Sequence, residues 1–201
     1  MEMMVVLAII SILTAIAGPE ILKRLHSDSK VRSAAKEVVA DFRTAQNESL
    51  RRGGGEMSAG GELIRKSVFI VFPDANSYEV WAYEDLNNDN EKTINEATRI
   101  LSKSIPDGST FGTLASVTAT ACGNGTGAPT AMTSFHDTDD DPPCNGRQCL
   151  EINANGFPTD AIGGTMYITD IHKEYAYAVN INAAGLLTLC KWGNGTWVIA
   201  R

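Results

Sequence analysis

The chain opens on an apolar run with a single carboxylate beside it, MEMMVVLAIISILTAIAGPE. From Met3 to Ala17 only Ser11 and Thr14 are polar, and each hydroxyl can bond back to a helix carbonyl. At 1.5 Å per residue the run makes a helix ~22 Å long, against a hydrocarbon core of about 30 Å. Three roles compete for such a segment: a cleavable signal, a buried core helix, and a membrane helix that starts upstream. Ala15-Ile16-Ala17 has the small-x-small pattern of a cleavage site, yet Glu2 stands where a signal carries positive charge. A core helix would show one polar face, and this run is apolar around its whole circumference. A carboxylate within a bilayer costs about 2.5–3.5 kcal/mol and calls for a compensating partner. The membrane-helix reading accommodates Glu2 best.

Beyond Glu20 the pattern turns amphipathic. Val31, Ala34, Ala35, Val38, Val39, Phe42 and Ala45 recur at helical spacing, and Arg32, Lys36, Glu37, Asp41 and Arg43 take the other side. Arg51-Arg52-Gly53-Gly54-Gly55 stops the helix, and Gly53–Gly61 reads as a flexible loop. One helix of ~50 residues and ~75 Å is expected, with a break at Gly18-Pro19, where proline removes an amide donor. The chain divides into an apolar helix over 1–18, its amphipathic continuation over 19–52, and a β-rich head over 53–201 with an exposed insert at 123–148. Strands are expected at Ser67–Pro73, Tyr78–Tyr83, Thr98–Ser102, Ala115–Ala121, Cys149–Ile152, Thr165–Thr169, Tyr175–Asn182 and Leu186–Lys191. Turns are expected at Asn155-Gly156, Gly163-Gly164, Ala184-Gly185 and Gly193-Asn194-Gly195. The fold class is α+β, a long N-terminal helix packed on an antiparallel meander.

Glu2, the run Met3–Ile10, Ser11-Ile12-Leu13 and Pro19 together resemble the N-terminal signature of type IV pilins and type II secretion pseudopilins, and the Glu2-to-Pro19 separation is also that family's. Met1 matches the apolar residue directly before the family's glutamate, so the resemblance places the basic leader and first mature residues upstream. The head resembles the minor pseudopilin, fimbrial-assembly branch. That likeness rests on the acidic loop around Asp85–Glu96, the Gly163-Gly164 turn and the closing Val179–Leu187 hairpin.

The resemblance implies a pilin-like fold and a prepilin peptidase that cuts the leader and leaves a methylated first residue. It implies storage in the inner membrane, then extraction by an assembly platform into a periplasmic or extracellular filament. Glu2 would pair with a neighbour's N-terminal ammonium and set register. Gly18 and Pro19 would let the helix melt locally as copies pack. The expected partners are copies of the chain itself.

Asp85, Asn87 and Asp89 fall at positions 1, 3 and 5 of a calcium loop and Glu96 at position 12, with Glu91 between them. Asn90 replaces the usual glycine, Lys92 the usual aliphatic, and the flanks read as strands; a solvated acidic hairpin is the alternative. Calcium there would lock the hairpin. His136-Asp137-Thr138-Asp139-Asp140-Asp141 is a second acidic run of the solvated-loop type.

Cys122, Cys144, Cys149 and Cys190 form no CxxC pair, and in an exported chain their even number reads as two disulfides, with all three pairings open. No nucleophile elbow, P-loop, HExxH or dinucleotide fingerprint occurs, and His26, His136 and His172 suggest no triad, so an enzyme is not expected. A net charge of −7 argues against nucleic acid as a partner. Triplets at Asn47, Asn124 and Asn194 match the glycosylation pattern by chance. Phe42 is the single aromatic of the long helix, which disfavours electron conduction. The expected function is a structural filament subunit; the alternatives are a minor tip or priming subunit and a ligand receptor, including one for DNA.

Overall fold

The computed structural model describes residues 2–53, 66–87, 89, 92–120, 122, 128–129, 131–135, 141–159 and 162–200; within the helix, side-chain surroundings are described for 3, 4, 6, 7, 10, 11 and from 26 onward. A single helix, α1 (Glu2–Arg52), is followed by β1 (Lys66–Asp74), β2 (Ser77–Glu84), a 3-10 turn (Ile94–Glu96), β3 (Ala97–Ser104), β4 (Ser109–Phe111), β5 (Gln148–Asn153), β6 (Gly163–Asp170), β7 (Ala176–Asn182), β8 (Leu187–Gly193) and β9 (Thr196–Ile199). The class is α+β, as the sequence implies. The strands form two antiparallel sheets rather than one meander, ordered β3-β2-β1-β5 and β4-β6-β7-β8-β9.

The core follows from two periodicities meeting. The helix stripe Val31, Ala34, Ala35, Val38, Phe42 and Ala45 is buried, and small residues at three of those positions let the backbone lie close to the sheets. Alternate β1 residues Val68, Ile70 and Phe72 face that stripe, as do Met166 and Ile168 of β6 and Tyr177, Val179 and Ile181 of β7. The odd β1 residues Phe69 and Val71 point to the other face, where Tyr83 and the Cys144–Cys149 pair cover them. That second cover explains why β1 is apolar along both faces.

Four expectations need correction. Helix α1 runs on through Gly18 and Pro19 without interruption; a proline forfeits one hydrogen bond yet need not end a helix. The expected strand at Ala115–Ala121 does not form over its described residues, 115–120. Its described residues cross the outer face of the second sheet, where Leu114 and Val117 bury against Ala176, Trp192 and Trp197, and Val117 N–H closes a turn on the Leu114 carbonyl at 3.1 Å. Gly163-Gly164 begins strand β6 instead of making a turn. A side chain at Gly163 would strike the Ile181 carbonyl on β7, and φ there is +75°, so glycine serves close strand approach. The insert is only partly an exposed lobe. Thr133 and Phe135 are buried, the Tyr167 and Ser134 amides tie this segment to β6, and the Phe135 ring stacks on Phe72 at 5.7 Å. Strands β4 and β9 go unnoticed in the sequence because they are three and four residues long.

The expected turns at Asn155-Gly156 and Ala184-Gly185 form, and Asn194-Gly195 turns β8 into β9 with positive φ at both residues, the type I′ geometry that suits a two-residue hairpin. The loop 54–65, most of the second acidic run and Arg201 lie outside the described residues.

Candidate functional site

Helix α1 carries two different surfaces along its length. Toward its start the described apolar side chains are open: Met3 is 83% exposed, Met4 80% and Leu7 62%. Val6 and Ile10 are exposed as well. Among the described side chains the first bond from helix to head comes at Ser27, whose hydroxyl donates to Asp170 at 3.2 Å, and burial begins at Val31. The side chains of Glu2, Gly18 and Pro19 lie outside the described set, as does most of the run Met3–Ala17. Among the described residues no helix is long and apolar enough to cross a membrane.

The second half of α1 is clamped to the head on both flanks of its apolar stripe. On one flank Asp41 accepts from the buried Tyr78 hydroxyl and pairs with Lys103 of β3 at 2.8 Å; Lys103 also reaches Glu37 at 3.0 Å. Burial, then the Asp41 hydrogen bond, holds the Tyr78 hydroxyl well above the usual tyrosine range, so it stays a donor. On the other flank Asp28 accepts from Tyr177 at 2.9 Å and from Lys191 at 2.7 Å. Gln46 donates to the Gly185 carbonyl at 2.7 Å, and Ser49 to the Asn153 carbonyl. At the helix end Glu48 accepts from Arg51 and Arg52. Hydrogen bonds from those two arginines hold its carboxyl at about 2, far below the ordinary carboxylate value. Arg52 carries the link onward to Glu84 of β2 at 3.0 Å.

The acidic loop between β2 and β3 is partly folded in on itself. Asp85 and Glu96 are buried, while Leu86, Asn87 and Asp89 are exposed. Glu96 accepts from the Leu86 amide at 3.1 Å and the Thr93 hydroxyl at 2.8 Å. Asn87 donates to Asp89 at 2.7 Å. Asp85, Glu96 and Asp89 together crowd the Tyr83 hydroxyl: burial first, then these three charges, push it up to about 12. The structure therefore brings Asp85, Glu96 and Asp89 to one neighbourhood, with Asn87 beside Asp89. Glu91 lies outside the described residues. Among the described residues no group of three acidic, histidine or cysteine side chains is placed to hold a metal ion.

All four cysteines are paired, Cys122 with Cys190 and Cys144 with Cys149. The first bond staples the crossing segment 112–122 to β8, helped by the Trp197 indole donating to the Ala119 carbonyl at 2.7 Å. The second closes a short loop over Phe69 and Val71.

Asp170 is the organising residue that sequence reasoning missed. It is fully buried, and its carboxylate accepts from the Glu174 and Tyr175 amides at 2.7 and 2.8 Å and the His172 amide at 3.2 Å. With Ser27 it ties the β6–β7 turn to the helix. An aspartate opening a strand-to-strand turn was its only signal.

No family model, curated protein or solved structure matches the chain.

Proposed function

We propose that the chain is a structural subunit of a helical filament of the type IV pilus or type II secretion pseudopilus kind, which polymerises through the N-terminal half of α1 with Glu2 setting the register between copies. The observation that carries the reading is the helix itself. From Glu2 to Ser27, the first described side chain bonded to the head, it spans roughly 37 Å at 1.5 Å per residue, and the apolar side chains described on that stretch are exposed. The apolar surface on such a rod is covered by lipid before assembly or by its own copies after it. In that scheme copies wait in the inner membrane and end in a filament outside it.

The head then serves as a rigid carrier for the rod. The clamps through Asp28, Asp41, Gln46 and Ser49 fix the direction in which α1 leaves the head, which a regular helical polymer requires of each subunit. Glu2 in an apolar surround is costly until a cation meets it, so pairing with a neighbour's N-terminal ammonium favours docking in one register. Calcium at the Asp85–Glu96 loop belongs to the same proposal. Its support is the sequence spacing of Asp85, Asn87, Asp89 and Glu96, and its effect is to stiffen the hairpin. The chain is proposed to have no catalytic activity.

The test is electron microscopy of sheared surface fractions from cells overproducing the chain, beside a Glu2→Ala variant. Filaments built from the chain and lost in the variant are expected. Filaments unchanged by Glu2→Ala would remove the charge pairing. A chain that stays in the membrane while filaments lack it, except at one end, would make it a priming subunit instead.

A further inference from the structure

A groove of about 500 Å³ runs between α1 and the free edge of the second sheet. Its helix side is formed by Lys36, Val39, Ala40 and Arg43, which at their spacing share one strip of α1. Its sheet side is formed chiefly by Leu187, Leu189 and Ile199. Strand β9 covers β8 only from Gly193 back to Cys190, and the last bond across is Ala200 N–H to the Leu189 carbonyl at 2.9 Å. Among the described residues nothing continues that strand beside Leu187 and Thr188. The floor is apolar and the rim is cationic. Neither Lys36 nor Arg43 enters an ion pair among the described residues, although the chain has 24 acidic residues against 17 lysines and arginines.

The complementary surface lies on the opposite flank of the same molecule. The loop between β2 and β3 exposes Leu86 at 62% and Ile94 at 49%, with Asp89 also exposed beside them. It belongs to the outer pair of the first sheet, whereas the groove belongs to the outer edge of the second. Helix α1 stands between the two, turning Glu37 and Asp41 to β3 and Lys36 and Arg43 to the groove. One copy therefore cannot seat its own loop in its own groove.

We propose that the groove receives the acidic loop of a second copy, with Leu86 and Ile94 on the apolar floor and Asp89 facing Lys36 and Arg43. The contact uses two different patches, so it is heterologous and propagates head to tail instead of closing a dimer. Charge complementarity sets its orientation and makes it salt-sensitive. This inference rests on the filament reading for its purpose, and it is tested separately from it.

The experiment uses the full chain in detergent micelles at low salt, with a benzophenone amino acid at Leu86 and mass spectrometry of the crosslinked peptides. The expected product joins position 86 of one copy to the groove peptide containing Leu187–Ala200 of another. Lys36→Glu with Arg43→Glu is expected to lower its yield about ten-fold, and adding Asp89→Lys to that pair to restore it to within about three-fold. Circular dichroism confirms that each variant folds. A crosslink without filaments in cells supports the head contact and removes the filament reading. Filaments without the crosslink remove the head contact and leave the filament reading standing. A charge reversal with no rescue by Asp89→Lys overturns the proposed pairing.

Discussion

At the scale of single residues, the carboxylates of this chain fall into two kinds. Asp28, Asp41 and Asp170 are each met by several donors, so their charge is compensated where it sits and they act as joints between α1 and the sheets. Asp85, Glu96 and Asp89 gather around the Tyr83 hydroxyl, with Glu96 also accepting from the Leu86 amide and the Thr93 hydroxyl. Calcium takes several hard oxygen ligands of this kind. With the weak affinity of exported calcium sites, near 10⁻³ M, about 10 mM calcium stabilises the fold by ~1.4 kcal/mol through mass action. A small rise in melting temperature on adding calcium is therefore expected, and Glu96→Gln is expected to remove it. Magnesium at the same concentration serves as the control. A melting curve indifferent to calcium in the native chain would leave the loop as an acidic hairpin closed by Glu96 alone, through its bonds to the Leu86 amide and the Thr93 hydroxyl.

At the scale of elements, the two disulfides do unequal work. Cys122 and Cys190 are 68 residues apart and Cys144 and Cys149 only 5. Constraint of the unfolded chain grows with the logarithm of loop length, giving about 4 kcal/mol for the long bond and about 2 for the short one. Replacing Cys122 and Cys190 together by serine is expected to cost more in a urea titration than replacing Cys144 and Cys149. Equal losses would mean that the segment 112–122 is held by Trp197 and Val117 without its staple. The sequence announced the cysteines but not this pairing, because pairing depends on which loop crosses which face. The same limit explains Ala115–Ala121. Its alternation suits a strand, yet β6 and β7 already have neighbours at both edges, so the segment lies across the sheet. Elements with strong periodicity were legible: the helix stripe from Val31 to Ala45, β1, β2, and the β7–β8 hairpin with Gly185 at φ +73°. The division into two sheets was not, since no local pattern records that Phe135 packs against Phe42 of α1, Phe72 of β1 and Gly164 of β6. At the candidate site, Glu2 and the acidic loop stood out by composition, whereas Asp28 and Asp41, and the link from Asp170 to Ser27, matter through partners far away in sequence.

At the scale of the whole molecule, the helix belongs to two structures at once. Its residues from Ser27 onward supply one wall of the head's core, and the stretch before Ser27 supplies nothing to that core among the described residues. Removing residues 1–25 should therefore leave the head intact, with both disulfides formed, a cooperative melt and no tendency to sediment. Cutting further is a different matter. Loss of Val31, Ala34, Ala35 and Val38 uncovers Ile70, Met166 and Val179, and each large apolar side chain returned to water costs about 1.5–3 kcal/mol. Three such losses are comparable to the 5–15 kcal/mol by which a domain is normally stable, so a chain beginning after Phe42 is expected not to fold. Proteolysis of the full chain in detergent and in its absence gives the same answer without truncation. A single stable fragment beginning near Ser27 is expected, because the described side chains near the start of α1 are exposed and the clamp at Ser27, Asp28 and Asp170 resists local unfolding. Fragments that begin instead within the head, or a head that unfolds once residues 1–25 are gone, would show that the rod is part of the fold and not an appendage built for other copies.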